Sequence, residues 1–225
     1  MKKLKIALDG PSSSGKSTLA RALARELSII YVDTGALYRA VGLYMVRNGI
    51  EPKDADAVTA ALGGVKVELA YADGVQTVLL NGEDVGGLIR TPEISMAASA
   101  VSAIPAVRAF LLGLQKDMVE RGGVIMDGRD IGTVIMPDAD AKLFLVASAE
   151  ARAKRRYLEM TAKGVSCTYE QILAETVARD EADSSRDIAP LKPAEDAILF
   201  DNSALNIEET VAEALRLIRE KCAHE

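Results

Sequence analysis

The sequence has no tryptophan, only three phenylalanines and two cysteines, and a single histidine, His224, beside the C-terminus. A terminal residue is a poor platform for catalysis. The shortage therefore excludes Ser-His-Asp and Cys-His triads, His-based zinc hydrolases and most imidazole general bases. Cys167 and Cys222 are too few for a disulfide framework or a four-thiolate zinc site, and free thiols suit a reducing cytosol. No stretch approaches the ~18 apolar residues that cross a bilayer. The basic-then-apolar start, Met1 to Gly10, is too short for a signal-peptide core. Positive charge is also in deficit: 27 Lys and Arg stand against 33 Asp and Glu, a net charge of −6. That balance argues against a general nucleic-acid binder. A cytoplasmic protein with no nucleic-acid or membrane partner is expected, and as an enzyme it must work by charge and positioning.

What is present is a chain of 225 residues, 49% hydrophobic, enough for a substantial core. Strand-like and helix-like patterns alternate along it. Lys5–Leu8, Ile29–Val32, Val124–Met126, Lys142–Val146 and Ala197–Phe200 read as buried strands. Helices are expected at Leu19–Leu27, Ala36–Val46, Arg152–Thr161, Tyr169–Ala182 and Glu208–Lys221. Thr168 with Gln171, and Asn206 with Glu209, have capping-box spacing. Such alternation implies an α/β fold with a parallel five-stranded sheet flanked by helices. Val65–Ala70 and Gln76–Leu80 break the rhythm as alternating strands around Ala72-Asp73-Gly74, with a further tight turn at Asn81-Gly82. Residues 64–89 are thus expected to form a small antiparallel insertion in one domain spanning residues 1–225.

Gly10-Pro11-Ser12-Ser13-Ser14-Gly15-Lys16-Ser17 spells the G-x-x-x-x-G-K-[ST] phosphate loop, between a strand and an amphipathic helix as that motif requires. Its glycines let backbone N–H groups curl around phosphate oxygens. Lys16 supplies a cation at the β/γ-phosphates, Ser17 a hydroxyl for Mg²⁺, and the following helix the positive end of its dipole. A nucleoside-triphosphate site follows. No guanine-reading Asn-Lys-x-Asp is present, and Asp84-Val85-Gly86-Gly87 follows a hairpin turn, so a GTPase is not expected. Asp127 closes an apolar strand, but Gly128-Arg129-Asp130 follows it, which favours ligand binding over water activation.

Arginines cluster where loops are expected: Arg39, Arg129, the group Arg152, Arg155 and Arg156, and Arg179 with Arg186. Guanidinium groups suit bidentate phosphate contacts. Convergent cations beside a phosphate loop point to phosphoryl transfer onto an acceptor that is itself anionic. A phosphate-monoester acceptor is already a nucleophile, so alignment and charge neutralisation can suffice. Another small-molecule kinase of this class, or a nucleotide-sensing switch signalling through the insertion, remains open on these residues alone.

The sequence resembles the bacterial cytidylate kinases, P-loop nucleoside monophosphate kinases, from the phosphate loop to the last helix. The resemblance rests on Asp9-Gly10-Pro11-Ser12 running into Gly15-Lys16-Ser17-Thr18, Asp33 through Arg39, and Ile89-Arg90-Thr91. It continues through Ala97-Ala98-Ser99 with Val107-Arg108, Asp127 through Thr133, and Arg179-Asp180 through Asp183 and Arg186 to Leu191. The resemblance implies ATP as donor, CMP or dCMP as acceptor, Mg²⁺ with the ATP, and a monomer. Gly10 through Thr18 would cradle the ATP phosphates, while Lys16, Arg129, Arg186 and Arg179 would act at the transferring group. Ser12, Arg39, Arg129 and Arg186 would hold the CMP phosphate or bridge the nucleotides. Thr34, Asp127 and Gly128 fall among the acceptor residues, and Tyr38 and Asp183 would face the ribose. Ser99, Arg108 and Asp130 would read the cytosine edge. An acceptor-binding region at 34–104 and a short lid at 149–187 are implied, with Arg152, Arg155 and Arg156 closing over ATP. Thr34 replaces a Ser found in some members and Ser185 a common Thr, and both keep the hydroxyl.

Overall fold

A computed structural model describes residues 3–72 and 75–223; His224 and the Asp73-Gly74 turn lie outside them. In chain order the first elements are β1 (Lys5–Asp9), α1 (Lys16–Leu27), β2 (Ile30–Asp33) and α2 (Thr34–Arg47). Next come α3 (Ala55–Ala61), β3 (Val67–Ala72), β4 (Val75–Leu80), β5 (Glu83–Asp84), α4 (Pro92–Val101) and α5 (Pro105–Glu120). The last are β6 (Val124–Gly128), β7 (Ala141–Val146), α6 (Ala149–Ala162), α7 (Tyr169–Ser184), β8 (Ile198–Asp201) and α8 (Ile207–Ala223). The strands form a five-stranded sheet in the order β2-β6-β1-β7-β8 and an antiparallel three-stranded sheet, β3-β4-β5. An α/β fold with a small antiparallel insertion is thus what the sequence pattern led us to expect.

The chain divides into two compact units: one runs up to Ile29 and resumes at Gly123, and the other is Ile30–Gly122. In the first, β1 lies between β6 and β7 and pairs in parallel with both, with Asp9 opposite Gly128 and Phe144. Ile6, Ala7, Leu8, Ile125 and Met126 are fully buried, as central parallel strands require. α1 presents Leu19, Ala20, Leu23 and Ala24 inward and packs on β6, and α8 packs on α1 and β7. Both capping boxes form. Thr168 and Gln171 exchange their two bonds, and Asn206 and Glu209 do so at 3.0 and 2.9 Å. Each cap is worth about 1 kcal/mol to its helix.

The second unit is organised around a core of its own, with Leu37, Val41, Met45, Val58, Ile89, Val101, Val107 and Leu111 essentially without solvent contact. Burying each such side chain is worth roughly 1.5–3 kcal/mol. The Asn81-Gly82 turn has positive φ at both residues, 50° and 86°, the geometry of a tight hairpin. The Asn81 side chain fixes it further by accepting from the Lys66 amide at 2.7 Å and donating to the Gly64 carbonyl at 3.0 Å. Four elements lie outside the expected strands and helices: α3, α4, α5 and the two-residue β5. Among the described residues no single helix is long and apolar enough to cross a membrane.

Candidate functional site

The phosphate loop sits between β1 and α1 in a wound-up conformation. Gly10 has φ 147°, Ser13 φ 60° and Gly15 φ 94°. At Gly10 a β-carbon would stand 2.5 Å from the Leu145 carbonyl oxygen, so any larger residue would push the loop off β7. Gly15 forms the N-cap of α1 without a side-chain acceptor, which leaves the first helical N–H groups available to an anion.

Three carbonyls of the loop are held by side-chain donors. Lys16 Nζ donates to the Pro11 carbonyl at 2.5 Å and to Ser14 Oγ at 3.3 Å. Arg152 Nη1 donates to the Ser12 carbonyl at 3.1 Å, and Asn202 Nδ2 to the Ser14 carbonyl at 3.0 Å. Arg155 supports Asn202 by donating to its backbone oxygen at 2.8 Å. Lys16 is buried, and that burial, with the Arg129 charge, holds its ammonium well below the usual lysine range against the pull of Asp127, Asp9 and Asp183.

Ser17 Oγ donates to Asp127 Oδ2 at 2.7 Å, bringing together the end of β6 and the first turn of α1. A hydroxyl beside a buried carboxylate is a hard-oxygen pair of the kind Mg²⁺ accepts, so these two residues fit that ion. Among the described residues no group of three or more His, Cys, Asp and Glu side chains is arranged to hold a metal by itself.

Past Asp127, Arg129 Nε donates to Asp183 Oδ2 at 2.7 Å, while Arg186 donates to the other oxygen, Oδ1. Asp183 is 2% exposed. Burial works to raise its pKa, but the Arg129 and Arg186 charges, with Arg179, outweigh it and hold the carboxyl below its ordinary range. Arg129, Asp183 and Arg186 are therefore one interlocked group. Asp130 is buried on the segment following β6.

Two of the expected lid residues are engaged differently. Arg152 is buried and forms a two-pronged pair with Asp180 of α7, as well as donating to the Ala147 carbonyl. Arg156 pairs with Glu159 on its own helix at 3.0 Å.

In the second unit Asp33 caps α2 by accepting from the Ala36 amide at 3.0 Å and binds Arg39 Nη2 at 2.8 Å. Arg39 Nε is buried without a hydrogen-bond partner among the described residues. Arg108 stands over the Tyr38 ring at 5.7 Å, within cation–π range. Thr34 is buried at the start of α2, and Ser99 is half-buried on α4.

Sequence reasoning missed several polar partners. Asp9 is 5% exposed, and its two oxygens accept from the amides of Ile131 and Gly132 at 2.9 and 2.8 Å. Burial, with the nearby Asp130 charge, pushes its pKa up to about 6, against the two amide bonds and Lys16. Nothing in the sequence announced the partners of Asp180 and Asn202, which lie 28 and 188 residues away. The cap formed by Asp33 was also missed, although Asp before Thr-Gly-Ala is a helix-start signature that could have found it.

The family profile described as cytidylate kinase matches residues 6–220. A protein named cytidylate kinase from Carboxydothermus hydrogenoformans is 48% identical over 218 residues, covering 97% of this chain and 98% of that protein. Proteins of the same name from Syntrophotalea carbinolica and Pasteurella multocida are each 49% identical, covering 98% and 97% of this chain and 94% and 96% of theirs. Among solved structures, a gluconokinase from Sinorhizobium meliloti aligns with a TM-score of 0.51 at 16% identity, covering 99% of this chain and 95% of that one. Shikimate kinase from Bacteroides thetaiotaomicron aligns with a TM-score of 0.51 at 14% identity, covering 96% and 98%. These two likenesses concern the fold alone. The match over residues 6–220 and the near-half identity along almost the whole length establish that this chain belongs to the cytidylate kinase family of enzymes.

Proposed function

We propose that this enzyme transfers the ATP γ-phosphoryl group to CMP or dCMP by aligning and neutralising charge, with no general base. Cytidylate kinase activity follows from the family; the route is our reading. The interlocked Arg129–Asp183–Arg186 group carries it. Asp183 orients two guanidinium groups beforehand, so little reorganisation is left for the moment of reaction. The acceptor phosphate is dianionic above its second pKa of about 6 and serves as its own nucleophile.

Gly10 through Thr18 cradle the donor phosphates through backbone N–H groups, with Lys16 at the transferring group. Phosphate binding beside Lys16 offsets the Arg129 charge that holds its ammonium down. Ser17 and Asp127 would hold Mg²⁺, which when bound supplies charge neutralisation on the donor phosphates. On the acceptor side, Ser12, Arg39, Arg129 and Arg186 hold the CMP phosphate, with Arg179 nearby. The buried, unsatisfied Arg39 Nε supports its part in this. Tyr38 and Asp183 face the ribose, and Ser99, Arg108 and Asp130 read the cytosine edge. Thr34, Asp127 and Gly128 complete the acceptor set.

Residues 34–104 serve as the acceptor-binding region and 149–187 as the lid, with Arg152 and Arg156 the donor-side contacts. The Asp180 and Ser12 partners of Arg152 support a part for it in anchoring the lid helices to the phosphate loop. An ADP-release assay over CMP, dCMP, UMP, AMP and shikimate tests the reading. Turnover is expected to be highest with the two cytidine nucleotides, and equal turnover across the panel would overturn it.

A further inference from the structure

Asp9 lies outside the nucleotide-contacting set, yet it is buried with both carboxylate oxygens committed to backbone amides. It ends β1, where its backbone pairs with Gly128, the residue that leads into Arg129 and Asp130. Its side chain reaches the far end of the same short segment and accepts from the Ile131 and Gly132 amides at 2.9 and 2.8 Å. One residue therefore clamps both ends of a bend whose two middle positions are Arg129 and Asp130. Arg129 has a second anchor in Asp183, 54 residues on.

Gly132 lies against the same carboxylate: a β-carbon there would stand 3.2 Å from Cδ of the flexible Lys142 side chain and 3.5 Å from Asp9 Oδ2, an ordinary contact. The bend continues into one π-turn, Ile131–Ile135, whose backbone hydrogen bonds begin at the Asp130 carbonyl. Backbone hydrogen bonds from Val134 and Ile135 thus tie Asp130 to the residues after it. With both oxygens accepting from amides, Asp9 is held as an acceptor. Aspartate is the short side chain that offers two acceptors and no donor, whereas asparagine would turn an NH₂ toward one of the amides.

We propose that Asp9 is a positioning residue for recognition of the acceptor base, acting by clamping the Ile131–Gly132 backbone that orients Asp130. The inference rests on the reading that Asp130 meets the cytosine edge. It makes a division that a purely structural role would not: with the carboxylate charge kept, moving it off the two amides changes acceptor binding and base selectivity but not donor binding. Arg129, held by Asp183, keeps its place at the phosphates.

The test is steady-state kinetics of Asp9→Asn and Asp9→Glu with CMP, UMP and ATP varied in turn, beside thermal melts of each protein. Asp9→Glu keeps the negative charge near Lys16 but carries its carboxylate one methylene too far to accept from both amides. For both variants the CMP KM should rise about tenfold and the CMP-over-UMP preference should fall about fivefold, and for Asp9→Glu the ATP KM should stay within about twofold. Should Asp9→Asn fail to melt cooperatively, Asp9→Glu decides alone. Folded variants with wild-type CMP KM and selectivity would overturn the proposal, as would an equal rise in the CMP and ATP KM values of Asp9→Glu. Wild-type protein in the same series separates the two levels. A wild type without cytosine preference overturns the base-reading assignment itself, whereas a selective wild type with unaltered variants overturns only the role of Asp9.

Discussion

Ser17 Oγ donates to the Asp127 carboxylate at 2.7 Å, although 110 residues separate them in the chain. The contact fixes the end of β6 against the start of α1, one residue from the lysine of the phosphate loop. It also places two hard oxygen ligands side by side where a phosphate-bound cation would sit. Asp127→Asn should lower kcat on the order of 10²-fold and raise the Mg²⁺ concentration needed for half-maximal rate. Rate measured against total Mg²⁺ checks this. An unshifted Mg²⁺ curve would remove Asp127 from the cation site.

Lys16 is buried with its charge suppressed by burial and Arg129, an arrangement that stabilises the protein poorly and suits an incoming phosphate well. Lys16→Ala should therefore fold normally while turnover falls on the order of 10²-fold or more. Turnover within threefold of wild type, in a variant with an ordinary melt, would refute the role.

Asp183 links pH to stability. Its carboxyl titrates below the ordinary carboxylate range in the folded chain, so the folded state binds the proton less tightly than the unfolded one. The stabilisation it gives is present above the unfolded pKa and is lost as pH falls through the folded value. The melting-temperature advantage of wild type over Asp183→Asn should accordingly be full near pH 6 and shrink steadily below about pH 4. The same variant should raise the CMP KM and lower kcat together, since two arginines lose their shared anchor.

Asn202 is 4% exposed and carries the Ser14 carbonyl of the phosphate loop. Asn202→Ala leaves that carbonyl without its partner and frees the loop to turn. The ATP KM should rise about tenfold with the CMP KM nearly unchanged. Initial-rate grids in both substrates read the difference.

Much of this was legible in the residues. The phosphate loop, the strand before it and the helix after it are local features, and local features carry their own signals. Both capping boxes and the Asn81-Gly82 turn were readable for the same reason: their partners lie within a few residues. What escaped was of two kinds. β5 is two residues long and α3 only seven, too short for periodicity to register. α4 and α5 did present inward stripes, Ile94, Ala97, Ala98 and Val101 on one and Val107, Leu111, Gln115 and Val119 on the other, each behind a proline at its first turn, so their signals were local and readable. Asp9, Asp180 and Asn202 belong to the second kind. Each meets a partner that only the folded topology brings near, so nothing in the spacing of the sequence announces it. The arginines were seen as a cluster, but not that Asp183 sets the geometry of two of them.

The central claim is that the acceptor phosphate is its own nucleophile, held and neutralised by arginines, with no base to activate a hydroxyl. Comparing CMP with cytidine as acceptors for the same enzyme at saturating ATP tests it most directly. Cytidine carries the same base and ribose but offers only a neutral hydroxyl. The account predicts rapid ADP release with CMP and none above the background ATPase rate with cytidine. Phosphorylation of cytidine at a rate comparable to CMP would contradict it, because only a working general base could make that hydroxyl react.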